Sequence, residues 1–126
     1  MFHYITLGSN DLGRSGEFYD AVMAVFGARR TVQREQEIAY GLTAGKNLIW
    51  LVTPHLGYPA TWGNGTMVAF TAHTRQQVRD FHAAAVAAGG TDDGAPGLRP
   101  YHANFYSCYV RDPDGNKLSA VCEAAE

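Results

Sequence analysis

Apolar and polar positions follow two periods along this chain, and the change from one to the other happens twice. His3-Tyr-Ile-Thr-Leu7 is a β-branched and aromatic run, the composition of a strand. From Asp11 to Phe26 the apolar residues Leu12, Tyr19, Val22 and Phe26 fall on one helical face. Gly27 is placed to end that helix, because glycine takes the left-handed cap without strain. Three strands are predicted next, at about 29–34, 36–41 and 47–53. The last contains Leu48-Ile-Trp-Leu-Val52, apolar throughout, which suits a central strand.

Pro54 to Gly65 is turn-rich and is predicted to be a linker. The pattern then restarts. Thr66 to Thr71 is predicted to be a strand and Thr74 to Ala88 a helix, with Thr74 and Gln77 forming a capping box and Gly89-Gly90 the stop. Thr91 to Ala103 is rich in glycine and proline and has room for one short strand. Asn104–Val110 and Asn116–Glu123 are the last two strands, joined by Asp112-Pro-Asp-Gly115. That turn explains itself: Pro113 pre-sets φ, Gly115 accepts positive φ, and both aspartates are suited to bonding local amides.

Overlaying the halves matches the first strands at an offset of 64, His3 onto Met67, and the helices at 63. Each half is β-α-β-β-β, the first over about 1–60 and the second over about 64–123. One such half cannot bury both faces of its sheet. The expected fold class is therefore α+β: a single domain over 1–126 in which two βαβββ modules form an open, cup-shaped mixed sheet with the helices outside.

Composition narrows the function. The chain has 126 residues, 46% of them hydrophobic and 17% charged, with a formal charge of −2, so neither nucleic acid nor an acidic membrane is an expected partner. The adjacent Arg29-Arg30 suits a solvated surface. No apolar run approaches the ~20 residues of a membrane span, and no signal peptide is expected at the N-terminus. Cys108 and Cys122 look like small core residues of predicted strands, with no CxxC partner and no disulfide expected in a cytoplasmic protein. Nucleophilic catalysis finds little support, since Ser119 sits mid-strand without a glycine-flanked elbow.

Three segments together carry a resemblance: HYITLGSNDLGRSGEFYDAV, GNGTMVAFTAHTRQQVRDFHAAAVAAGGTDDGAPGLRP and YSCYVRDPDGNKLSAV. The chain resembles the vicinal oxygen chelate superfamily of glyoxalase I, extradiol dioxygenases, fosfomycin-modifying enzymes and bleomycin-resistance proteins. The resemblance implies paired βαβββ modules around a cup. It also implies that four positions send side chains into that cup: His3, a residue near Trp50, Met67 and Ser119. Metal-binding members usually carry histidine at the position of Met67 and a carboxylate at that of Ser119. A catalytic divalent ion needs three or more N, O or S donors. Of the four positions only His3 supplies a ligand-type side chain, so neither a family-type metal nor another cofactor is expected.

Two functions follow, from different classes. One is a protein with a degenerate metal site that binds a small, partly aromatic molecule in the cup or at the seam of a homodimer, with Trp50, Met67, Tyr106 and Ser119 as wall residues. The other is a lyase or isomerase of the glyoxalase/dioxygenase type that uses His3 and His102 for proton transfer. His3 is open to both readings, as it also suits a histidine simply bonded inside the cup. His102, in a Pro-Tyr-His-Ala-Asn loop, suits a rim group or a plain surface histidine. Alternation puts Tyr106 and Tyr109 on opposite faces of one strand, so at most one lines the pocket. His55, His73 and His82 are expected to be surface or structural.

Overall fold

The computed structural model describes all 126 residues. Its elements run β1 (Ile5–Gly8), α1 (Leu12–Ala24), β2 (Arg29–Gln33), β3 (Glu37–Thr43), β4 (Lys46–Val52), β5 (Met67–Thr71), α2 (Arg75–Ala87), β6 (Thr91–Leu98), β7 (Tyr106–Arg111) and β8 (Lys117–Cys122). They build two four-stranded sheets of the same topology, ordered β1-β4-β3-β2 and β5-β8-β7-β6. In each sheet the first and last strands of the module pair in parallel and the remaining pairs are antiparallel. This is the α+β arrangement of two βαβββ modules, built as two open sheets and not as a closed barrel.

Local chemistry sets the boundaries. Asp11 caps α1 by accepting from the Arg14 amide at 3.0 Å, and Thr74 caps α2 by accepting from the Gln77 amide at 3.1 Å. The Gln77 side chain reaches back to the His73 amide at 2.7 Å, one residue earlier than an ideal capping box. Gly27 and Gly89 both adopt positive φ just past their helices. The glycine-rich loop contains an eight-residue strand, β6, longer than expected and broken twice in register, between Asp92 and Gly94 and between Gly94 and Gly97.

The core lies between each sheet and its helix and runs on between the modules. Phe26 just past α1, Phe70 of β5 and Phe81 of α2 form a triangle, with ring centroids 5.5–5.9 Å apart. Beside it, Gln77 donates to the Val25 carbonyl.

A polar lock joins the modules at the other end. The turn after β7 inserts between β1 and α1. Asp114 accepts from the Asn10 amide at 2.9 Å, the Ser15 hydroxyl at 2.8 Å and Arg14 at 3.3 Å. Asp112 accepts from the Tyr19 hydroxyl at 2.7 Å, the Asp114 and Asn116 amides at 2.9 Å each, and the Asn116 side chain at 2.8 Å. Asp112 thus bonds local amides, as the turn leads one to expect, whereas the Asp114 carboxylate bonds only the first module; both hold that module. Burial pushes the Asp112 carboxyl above the usual carboxylate range, and its hydrogen bonds draw it only part of the way back.

Hydrogen bonding also fixes how the halves superpose. The Ser9 amide donates to Val52 and the Ala72 amide to Val121, each just past its strand. Ser9 therefore corresponds to Ala72, as the cap Asp11 corresponds to Thr74, at a common offset of 63. This corrects the strand offset of 64. The counterpart of Met67 is Tyr4, not His3.

Candidate functional site

Alternation divides each sheet into a face that packs on its helix and an open face. In the second sheet Phe70, Ala120 and Cys108 lie side by side on the helix face. The open face carries the row Ala69, Ser119 and Tyr109. It is flanked by Met67, Lys117 and Arg111 on one side and by Thr71, Val121 and Ser107 on the other. In the first sheet the open face carries Thr6, Trp50 and Ala39, with Gly8, Val52 and Glu37 beside them.

Three hollows lie on these faces. His3, Tyr4, Lys46, Leu48 and Trp50 border one of about 400 Å³. Tyr4, Thr6, Glu37, Trp50 and Val52 border another of about 310 Å³. The Tyr4 ring meets that of Trp50 edge-on at 6.3 Å. On the second sheet Trp62, Thr66, Met67, Arg111 and Lys117 border a hollow of about 420 Å³. The hollows beside Trp50 and beside Met67 share no residue, and Ser119 is fully buried and borders neither. His3, Met67 and Ser119 thus do not meet in one cavity within the chain.

The sequence matches a family model over residues 1–119, that of the Glyoxalase/Bleomycin resistance protein/Dioxygenase superfamily. Among solved structures it is similar to a glyoxalase/bleomycin resistance protein from Albidiferax ferrireducens T118. That likeness has a TM-score of 0.88 at 38% identity and covers 98% of this chain and 99% of the other. The chain belongs to this superfamily. A lactoylglutathione lyase from Agrobacterium tumefaciens shares the fold at a TM-score of 0.65 and 21% identity, covering 96% and 92% of the two chains. The fosfomycin resistance protein FosX from Mesorhizobium loti does so at 0.68 and 18%, covering 98% and 92%. Among curated proteins none matches.

For a member of the glyoxalase superfamily the residues at the ligand-bearing positions matter most. The pairings Thr6–Trp50 and Ala69–Ser119 are equivalent in the two sheets, as are Tyr4 and Met67 at the shared offset. The four related positions are therefore Tyr4, Trp50, Met67 and Ser119. His3 precedes β1, one residue out of step with the open face, and borders the hollow beside Trp50. His/Cys/Asp/Glu side chains nowhere gather in a group of three that could hold a metal.

Two further expectations change. Tyr106 lies on the helix face, where Arg75 and Arg79 of α2 sit over its ring at 5.3 and 5.9 Å. It is Tyr109, missed as a wall residue, that shares the open face with Ser119. The alternation that separates them was legible, but which one faced the helix was not. His102 bonds with both ring nitrogens: Nε2 to Glu123 at 2.8 Å, while Nδ1 accepts from the Asn104 amide at 3.1 Å. The second bond makes Nε2 the protonated nitrogen and leaves no free lone pair for proton abstraction. His82 is likewise paired, with Asp92 at 2.7 Å, and this bond holds the Asp92 carboxyl below its usual range. Cys108 points at α2, and burial pushes its thiol up to about 11, which keeps it inert.

Proposed function

We propose that this superfamily member is a small-molecule binding protein whose metal position has lost its ligands, with Trp50 and Met67 as wall residues for a partly aromatic ligand. The occupancy of the four related positions carries the reading. Tyrosine, tryptophan, methionine and serine give no histidine or carboxylate, and a divalent ion of the Zn, Ni or Mn type needs several such donors. The residues do not fit the metal. The flat and polarizable surfaces of Trp50, Tyr4 and Met67 instead suit an apolar or aromatic body. Elemental analysis after dialysis is the test. Less than about one-tenth equivalent of divalent metal is expected from so poor a donor set, and stoichiometric metal overturns the reading. Met67→His with Ser119→Glu places two good ligands as diagonal neighbours on one face. That variant is expected to gain zinc affinity by at least about tenfold, read by calorimetry.

The same reading includes a homodimer. Tyr4, Leu48 and Met67 are exposed around the open faces, and a second copy of the chain would cover them. Light scattering should give twice the monomer mass, and a monomer at micromolar concentration would remove this part of the proposal. A cytoplasmic location belongs to the same reading. The lyase or isomerase reading with His3 and His102 as proton-transfer groups gains no support from the geometry. His102 is committed at both nitrogens, and the residues bordering the His3 hollow all come from the first module.

A further inference from the structure

The second open face gathers more positive charge than the first. On the first, Arg34 is paired with Glu37 at the sheet margin and Lys46 stands alone beside the His3 hollow. On the second, Arg99, Arg111 and Lys117 cluster around one aromatic ring and one carboxylate. Lys117 Nζ and the Arg99 guanidinium lie 5.1 and 5.2 Å from the Tyr109 centroid. The carboxylate is Asp93, 3.1 Å from Arg111 Nε and 3.5 Å from Lys117 Nζ. Three cations against one anion leave an excess of positive charge on this face of a chain whose formal charge is −2.

Arg111 and Lys117 also border the 420 Å³ hollow with Trp62, Thr66 and Met67. Cation and apolar wall therefore meet in one concavity.

We propose that this hollow takes a small organic anion, its charged group held by Arg111 and Lys117 and its apolar body against Trp62 and Met67. The proposal rests on reading the open face as a ligand site, and it names the ligand class. Carboxylates and phosphonates share the required chemistry, because both accept charge-assisted hydrogen bonds from a guanidinium and an ammonium.

The test compares benzoate with its neutral amide, benzamide, by titrating the backbone amide shifts of residues 62–67, 111 and 117. Benzoate is expected to bind about tenfold more tightly than benzamide, the scale of one charge-assisted pair, and to weaken as salt is raised. Lys117→Gln is expected to remove most of that preference. It should leave the unfolding midpoint close to wild type, since its only carboxylate contact is the long one to Asp93. Arg111→Gln is the less clean variant because Arg111 also donates to the Gly115 carbonyl. Equal affinity for the two probes overturns the anion assignment and leaves the binding reading standing. If neither probe moves these amides at millimolar concentration, the binding reading fails here and the proposal fails with it.

Discussion

Asp112 shows how one side chain ties distant parts of this sequence together. It is almost fully buried and accepts four hydrogen bonds, one from Tyr19 in the other module. Asp112→Ala leaves the Tyr19 hydroxyl and the Asp114 and Asn116 backbone amides without that acceptor, while the Asn116 side chain keeps only its bond to the Gly8 carbonyl, and a loss of about 2–4 kcal/mol in denaturant unfolding is expected. The pH dependence has a definite sign. Its carboxyl is raised in the fold, chiefly by burial, so the folded state holds the proton more tightly than the unfolded chain does. That contribution is present in full below the unfolded value. It declines as pH rises through the ordinary carboxylate range to the raised one. The stability of the wild type relative to Asp112→Asn should therefore fall across that interval, and urea titrations of both proteins at several pH values read it directly. In sequence, Asp-Pro-Asp-Gly declared itself a turn, but nothing local to it could announce Tyr19 or Ser15 as partners. The same limit produced the error at His3. Sequence pattern matched it to Met67, whereas hydrogen-bond register decides the facing and a slip of one residue turns every side chain over.

Periodicity carried most of the elements. Both helices and seven of the strands follow from spacing and from stop signals such as Gly27 and Gly89, because amphipathic faces repeat at fixed intervals. β6 was the exception. Its Gly94, Pro96 and Gly97 suppress the alternating signal, and only pairing with β7 makes a strand of it. Gly94 is needed there, as a Cβ would come within 2.7 Å of the Tyr109 ring. α2 is the element on which both halves lean, since Phe81 meets Phe26 of the first module and Phe70 of the second. Phe81→Ala is expected to cost about 3–5 kcal/mol in a single unfolding transition common to fluorescence and far-UV circular dichroism. Separate transitions by the two probes would show that the modules do not share one core.

Duplication was the most legible property of the molecule, because a repeated β-α-β-β-β order constrains the architecture more than any one segment does. The sequence could not show how the open faces are distributed. Trp50 and Met67 border separate hollows, and this depends on how two sheets are set by the aromatic triangle at one end and the Asp114 lock at the other. Two of the four outermost strands have a last effect. β2 and β6 are both interrupted in register, and Pro96 offers no amide hydrogen. A neighbouring molecule that approached from these two margins would find no straight ladder to extend, which leaves β1 and β5, paired without interruption, as the edges where a strand could add.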